Sequence, residues 1–180
     1  MSAMEIKIPF YNIVNIFLPG LVLIGSCVLL FLDEVKTLVV KITDIGSAGL
    51  EVLVTVSLFA ISYEVGYIIF LLGSVAIEPI LKKLFGWTED FIKAGKTSDK
   101  AHDKLEMLSR EYGFARTQIV LFVTLAVLTG IRTQWWLMEI SIAVIVLFVL
   151  AARSHMKRIQ KVVNQYLATS NAENEGGANG

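Results

Sequence analysis

Four long apolar stretches constrain this chain more than any other feature. They lie at about residues 13–32, 52–72, 117–131 and 135–152. A helix needs roughly 20 mostly apolar residues to cross the ~30 Å hydrocarbon core of a bilayer, and each stretch comes near that length. A hydrophobic content of 55% also excludes an ordinary soluble domain. The sequence therefore predicts an all-α membrane protein with four transmembrane helices, which form one domain over residues 1–168.

The positive charges are unevenly divided between the segments that connect these stretches. If successive segments alternate between the two sides of the membrane, 13 of the 16 Lys and Arg lie on one side, and Lys36, Lys41 and Arg132 lie on the other. The positive-inside rule makes the first side cytoplasmic. We therefore expect both termini in the cytoplasm. The formal net charge is zero, so direct nucleic-acid binding is not expected.

Amphipathic segments follow the second and fourth spans. The apolar residues Ala101, Leu105, Leu108 and Tyr112 recur at helical spacing. Residues 81–115 and 153–168 are therefore predicted to form a cytosolic helical platform. Residues 169–180, rich in Asn, Gly, Glu and Ala, are predicted to be a disordered tail.

Three arginines in or next to this platform are candidates to face a protein partner: Arg110, Arg116 and Arg153. Two of them also have a simpler interpretation. Arg116, at the start of span three, is most simply an anchor whose side chain extends towards the headgroups. A solvated face accounts for Arg110.

Glu64 is the sharpest polar feature of the spans. It lies about 12 residues, hence about 18 Å, into span two. A carboxyl group at that depth costs roughly 3 kcal/mol, so it should face protein or water. Either it serves as a ring or gate of a polar pathway, or hydrogen bonds within the bundle satisfy it.

Span two also carries a polar stripe at heptad spacing and, beside it, a face of small residues. The pore or gate candidates on the stripe are Ser57, Glu64, Tyr67 and Ser74, and the stripe continues to Glu78. The helix-packing candidates on the small face are Ser62, Gly66 and Gly73. One packing face beside one polar face is typical of a homo-oligomer whose second span lines or closes a polar pathway.

Two further features concern the other spans. Pro19 and Gly20 interrupt span one, where a proline frees a backbone carbonyl, so they mark either a packing site or a hinge. Glu51, Arg132 and Glu139 lie near the outer boundary and are expected to pair there.

Motifs for enzymatic chemistry are lacking in the sequence. His102 and His155 are far apart and have no Cys or carboxylate at metal-ligand spacing. No phosphate-binding glycine loop or nucleophile elbow is present. We expect a protein that is not an enzyme and that has no catalytic residues, metal or cofactor.

Three short motifs resemble those of a known group of proteins. Phe17-Leu18-Pro19-Gly20, Tyr63-Glu64-Val65-Gly66 and the segment 112–116 are similar to sequences of small multi-pass membrane proteins from bacterial anti-phage defence loci. The membrane subunit of the Kiwa system and membrane accessory proteins of some CRISPR loci are nearest in size and span count. One such accessory family has a nuclease-like Arg and His pair, which is absent here because Arg153 and His155 are only two residues apart.

The resemblance implies a bacterial inner-membrane protein that acts with a soluble cytosolic partner, as an infection sensor or as an effector that disturbs the membrane. No functional residues carry over from it. Our leading hypothesis is therefore a non-enzymatic homo-oligomer in anti-phage defence. Two alternatives are a small proton- or cation-coupled channel or transporter that uses Glu64, and a membrane immunity protein that binds another membrane protein.

Overall fold

A computed structural model describes residues 10–43, 48–86, 94 and 99–177. The described residues form helices and turns without any strand, which confirms the all-α class. The helices are α1 (Phe10–Leu30), α2 (Leu32–Thr43), α3 (Ala48–Leu72), α4 (Glu78–Phe85), α5 (Asp99–Ile131) and α6 (Trp135–Gly177). A five-residue π-helix, Gly73–Ile77, joins α3 to α4.

Three helical segments are long and apolar enough to cross a membrane: Glu51–Phe85, Lys100–Ile131 and Trp135–Thr169. These contain the predicted second, third and fourth spans. The apolar part of α1, Val14–Leu30, is shorter. The structure therefore supports a multi-pass membrane protein with three candidate spans.

The chain divides into two compact units. The first combines Met1–Leu72 with Val120–Ala143, and the second combines Gly73–Ile119 with Val144–Gly180. In the first unit, α1 packs closely against α3. The rings of Phe17 and Phe59 stack there with their centroids 5.6 Å apart.

The second unit has its own hydrophobic core between α4, α5 and α6. Leu81 of α4 is buried in it, together with Met156, Ile159 and Val163 of α6. The four apolar residues predicted at helical spacing, Ala101, Leu105, Leu108 and Tyr112, are all buried in this unit. The sequence periodicity therefore identified the core-facing side of α5.

The π-helix between α3 and α4 has a local cause in the sequence. Pro79 lies in the first turn of α4 and has no backbone N–H to donate to the carbonyl four residues earlier, that of Val75. A helix commonly widens into a π-turn where its hydrogen-bond ladder is interrupted. Span two therefore continues into α4 through a changed helical geometry.

The segment between the first two predicted spans contains the amphipathic helix α2. One segment boundary differs from the sequence prediction. At the C-terminus, α6 extends to Gly177 and takes in most of the predicted disordered tail, since no proline interrupts it. Within the predicted platform, residues 87–93 and 95–98 lie outside the described residues, as do residues 178–180 of the tail.

Candidate functional site

The Glu64 side chain lies on the exposed face of α3. Ser57 and Tyr67 lie on the same face, and 42% of Tyr67 is exposed. Within the described residues, no hydrogen bond or ion pair involves Glu64. Within the part of the chain that the structure describes, this carboxyl group therefore lies on the surface, and no described residue supplies the hydrogen bonds that the second interpretation needs.

Heptad spacing extends along this exposed face. Ser57, Glu64 and Leu71 are seven residues apart, and Ala60 and Tyr67 fall between them at the intervening positions. All five are exposed. We call these five residues the α3 seam. A seam at this spacing is the pattern with which one helix packs against another in a left-handed pair.

The small residues of α3 lie on the opposite side and contact α1. Ser62 is fully buried, and a Cβ atom built on Gly66 would lie 2.8 Å from the carbonyl carbon of Ile16. A Cβ atom on Gly20 would lie 2.7 Å from the backbone nitrogen of Gly66. Ser62, Gly66 and Gly20 therefore let two backbones of the same chain approach closely.

Pro19 and Gly20 are both buried, and α1 continues as a helix through them. Of the two functions considered for this pair, the structure supports packing against α3, because the contact leaves no space for a side chain at Gly20. The freed carbonyl of a proline-containing helix is tolerated in such a buried position.

Arg116 is buried in the second unit, with 7% of its surface exposed, so its assignment as a partner-facing or headgroup anchor is wrong. Its guanidinium forms an ion pair with Glu78 and donates a hydrogen bond to Ser74 Oγ at 2.8 Å. Its aliphatic part packs on Gly73. Burial makes this pair necessary, because a buried cation without a partner is strongly destabilising.

Two of the candidates predicted on span two therefore belong to this ion-pair site. Ser74 accepts a hydrogen bond from Arg116, and Gly73 provides the space for the arginine side chain. The Glu78 carboxylate also pairs with Lys82 at 2.7 Å. One carboxylate thus holds two cations and connects the π-helix region to α5.

The sequence did contain a signal for this site. Glu78 follows the C-terminal end of span two, and Arg116 precedes the N-terminal end of span three, so two opposite charges flank the connection between these spans. When two such spans pack as adjacent antiparallel helices, the residues that flank their connection lie at the same depth. That comparison between helices, rather than along one helix, predicts the pair.

The two other partner-facing candidates remain on the surface. Arg110 pairs with Glu106 one turn away on α5, where the contact is partly exposed. Arg153 is exposed and its guanidinium lies 5.7 Å from the centroid of the Phe85 ring. Both therefore stay predicted contacts for a cytosolic partner.

Arg132 forms a different ion pair from the one expected. Its guanidinium donates to Glu34 at 2.6 Å and lies 3.9 Å from the centroid of the Phe31 ring, whereas Glu51 and Glu139 are exposed. The hydrogen bond from Arg132 lowers the pKa of the Glu34 carboxyl. The pair is therefore kept at neutral pH and lost as the pH falls through that lowered pKa.

The described residues contain no group of three His, Cys, Asp or Glu side chains arranged to hold a metal ion. Comparison with protein families, curated proteins and solved structures finds no match to this chain. Functional assignment therefore depends on the chemistry of the α3 seam, where carboxyl, phenol and hydroxyl groups can hydrogen-bond to another helix or line a polar path.

Proposed function

We propose that this chain functions as a homo-oligomeric membrane protein in which the α3 seams of neighbouring copies face one another. The observation that carries the proposal is the exposure of Glu64 on a face that no other helix of the described chain covers. Leaving that carboxyl group in lipid costs roughly 3 kcal/mol. A second copy removes this cost by supplying a polar neighbour.

The seam is self-complementary. A protonated Glu64 carboxyl can both donate and accept, and Tyr67 follows three residues later, about 4.5 Å further along the helix axis on the same face. In a parallel pair of α3 helices, each carboxyl therefore meets a carboxyl and a phenol of the other copy. The flanking seam residues Ser57 and Ala60 are small enough to allow close approach.

In the proposed topology α1 is a fourth span and both termini are cytoplasmic. Its 21 residues extend about 31 Å, and it packs along α3, which is itself a candidate span. The excess of Lys and Arg on one side gives the orientation. This arrangement corresponds to a bacterial inner-membrane protein.

The proposed role is that of a sensor or membrane-perturbing effector in anti-phage defence, acting with a soluble cytosolic protein. The defence context depends on the resemblance of the three sequence motifs. The surface for the partner includes Arg110 and Arg153, which the structure leaves accessible. In this role, the α3 seam transmits or gates a change that the partner or the membrane imposes.

Self-association in lipid tests the proposal. We expect energy transfer between labelled copies in vesicles to fall on lipid dilution, and Glu64→Leu to weaken association because a polar contact is lost. Interhelical hydrogen bonds in membranes contribute about 0.6 to 2 kcal/mol, so the dissociation constant should rise about 3- to 30-fold.

Leu72→Ala is the matched control, since Leu72 is 48% exposed on α3 but lies off the seam. Its dissociation constant should equal that of the wild type. A wild-type protein that stays monomeric at every lipid ratio contradicts the proposal, as does an equal loss in the Glu64 and Leu72 variants.

A further inference from the structure

The first unit contains an apolar crevice of about 200 Å³ between α1, α5 and the start of α6. Four leucines form most of its wall, including Leu29 of α1 and Leu125 of α5. Ser26, Thr129 and Gln134 complete the lining. The crevice is thus mainly apolar, with a few polar groups at defined positions.

The polar groups of the lining differ in their capacity to bind a ligand at the turn between α5 and α6. The Thr129 hydroxyl already donates to the backbone carbonyl of Leu125 at 2.8 Å. By contrast, the side-chain amide of Gln134 makes no hydrogen bond within the described residues, although its backbone nitrogen bonds Thr129. Gln134 therefore offers a free donor at the turn between α5 and α6.

The position of Gln134 relative to the membrane follows from its neighbours. Trp135 and Trp136 are 61% and 63% exposed, and tryptophans in such positions typically lie at headgroup level. Leu125 lies six residues before the end of α5, hence about 9 Å deeper. The crevice therefore extends from headgroup level through about half of one ~15 Å leaflet.

We infer that this crevice binds one acyl chain of a glycerophospholipid, with the Gln134 amide donating a hydrogen bond to the ester carbonyl. The Gln134 amide lies nearer the headgroup level than the apolar part of the crevice. In a glycerophospholipid the ester group likewise lies nearer the headgroup than the hydrocarbon chain. Arg132 at the same turn is neutralised by Glu34, so the site selects the chain and ester rather than an anionic headgroup.

The inference requires that these helices cross the membrane, but it does not depend on association through the α3 seam. Its probe is phosphatidylcholine with a photoreactive diazirine in the upper half of one acyl chain, reconstituted with the full chain in vesicles. Labelled residues are identified by mass spectrometry. We expect labelling of Leu125 to exceed that of Val127 several-fold, since Val127 is 57% exposed to ordinary lipid on the same helix.

Two variants of α1 separate the crevice from general lipid contact. Ser26→Phe fills the crevice and should remove most of the Leu125 labelling while Val127 labelling persists. Gly25→Phe adds the same ring at the preceding residue, where a Cβ atom meets nothing within 4 Å. This variant should change neither the Leu125 labelling nor the Val127 labelling. Persistence of Leu125 labelling in Ser26→Phe, or equal labelling of Leu125 and Val127 in the wild type, overturns the inference.

A second variant covers the case in which Ser26→Phe does not fold. Gln134→Ala changes a half-buried turn residue and leaves the four leucines of the crevice wall unchanged. We expect a several-fold loss of Leu125 labelling because the ester carbonyl loses its donor. Unchanged labelling in this variant contradicts the assigned role of Gln134.

Discussion

Gly20→Ala should destabilise the protein by about 3 kcal/mol or more, measured as a lower midpoint of thermal unfolding in detergent. The added methyl group overlaps the backbone carbonyl of Ser62 and lies 2.7 Å from the backbone nitrogen of Gly66. Both neighbours are backbone atoms of a helix, so no side-chain rotation relieves the overlap. Relief requires α1 and α3 to separate, which loses their mutual packing.

The matched control for this prediction is Gly25→Ala, in the same helix. A Cβ atom at Gly25 meets nothing within 4 Å, so the substitution should be neutral or should stabilise by up to about 1 kcal/mol through higher helix propensity. Gly66→Ala, the reciprocal change on α3, should resemble Gly20→Ala. Equal midpoints for the Gly20 and Gly25 variants are incompatible with the α1–α3 contact described above.

Arg116→Met should destabilise the protein by about 3 kcal/mol, near the lower end of the range for breaking a buried ion pair. The variant keeps the volume of the side chain but removes the cation that pairs with Glu78 and bonds Ser74. The cost stays near that lower end because Lys82 still pairs with the Glu78 carboxylate. The same unfolding measurement detects the change.

Arg110→Met provides a comparison on the same helix. Arg110 and its partner Glu106 are partly exposed, and such pairs contribute only about 0.5 kcal/mol. The double variant Arg116→Met, Glu78→Leu should recover most of the loss, since the half-buried Glu78 carboxylate is then no longer left without its arginine. If Arg116→Met costs no more than Arg110→Met, the buried ion pair does not stabilise the second unit.

Patterns within single helices were sufficient for part of this structure. The apolar stretches predicted the candidate spans, and the 3.6-residue spacing of Ala101, Leu105, Leu108 and Tyr112 predicted the buried face of α5. The small residues Ser62 and Gly66 were predicted to pack. The properties of a single helix can therefore be predicted from the sequence, because they depend on the periodicity of its apolar residues and on the sizes of its side chains.

Contacts between helices were not readable in the same way. Arg116 looked like an interfacial anchor because its own helix gives no sign of Glu78, 38 residues away. Likewise, the small face of α3 was attributed to contact between copies, whereas α1 occupies it within the chain. Which helix packs against a given helix face depends on which helices are neighbours in the fold. The periodicity of one helix does not identify those neighbours.

Cysteine cross-linking along α3 in native membranes tests the central claim most directly, since the only natural cysteine, Cys27, can be replaced by Ala. Ser57→Cys lies on the seam and Leu58→Cys is the adjacent exposed position off it. Association through the seam predicts oxidised dimers in high yield for Ser57→Cys and little for Leu58→Cys. Equal yields at both positions, or no dimer at Ser57→Cys, would show that the face carrying Glu64 does not meet a second copy.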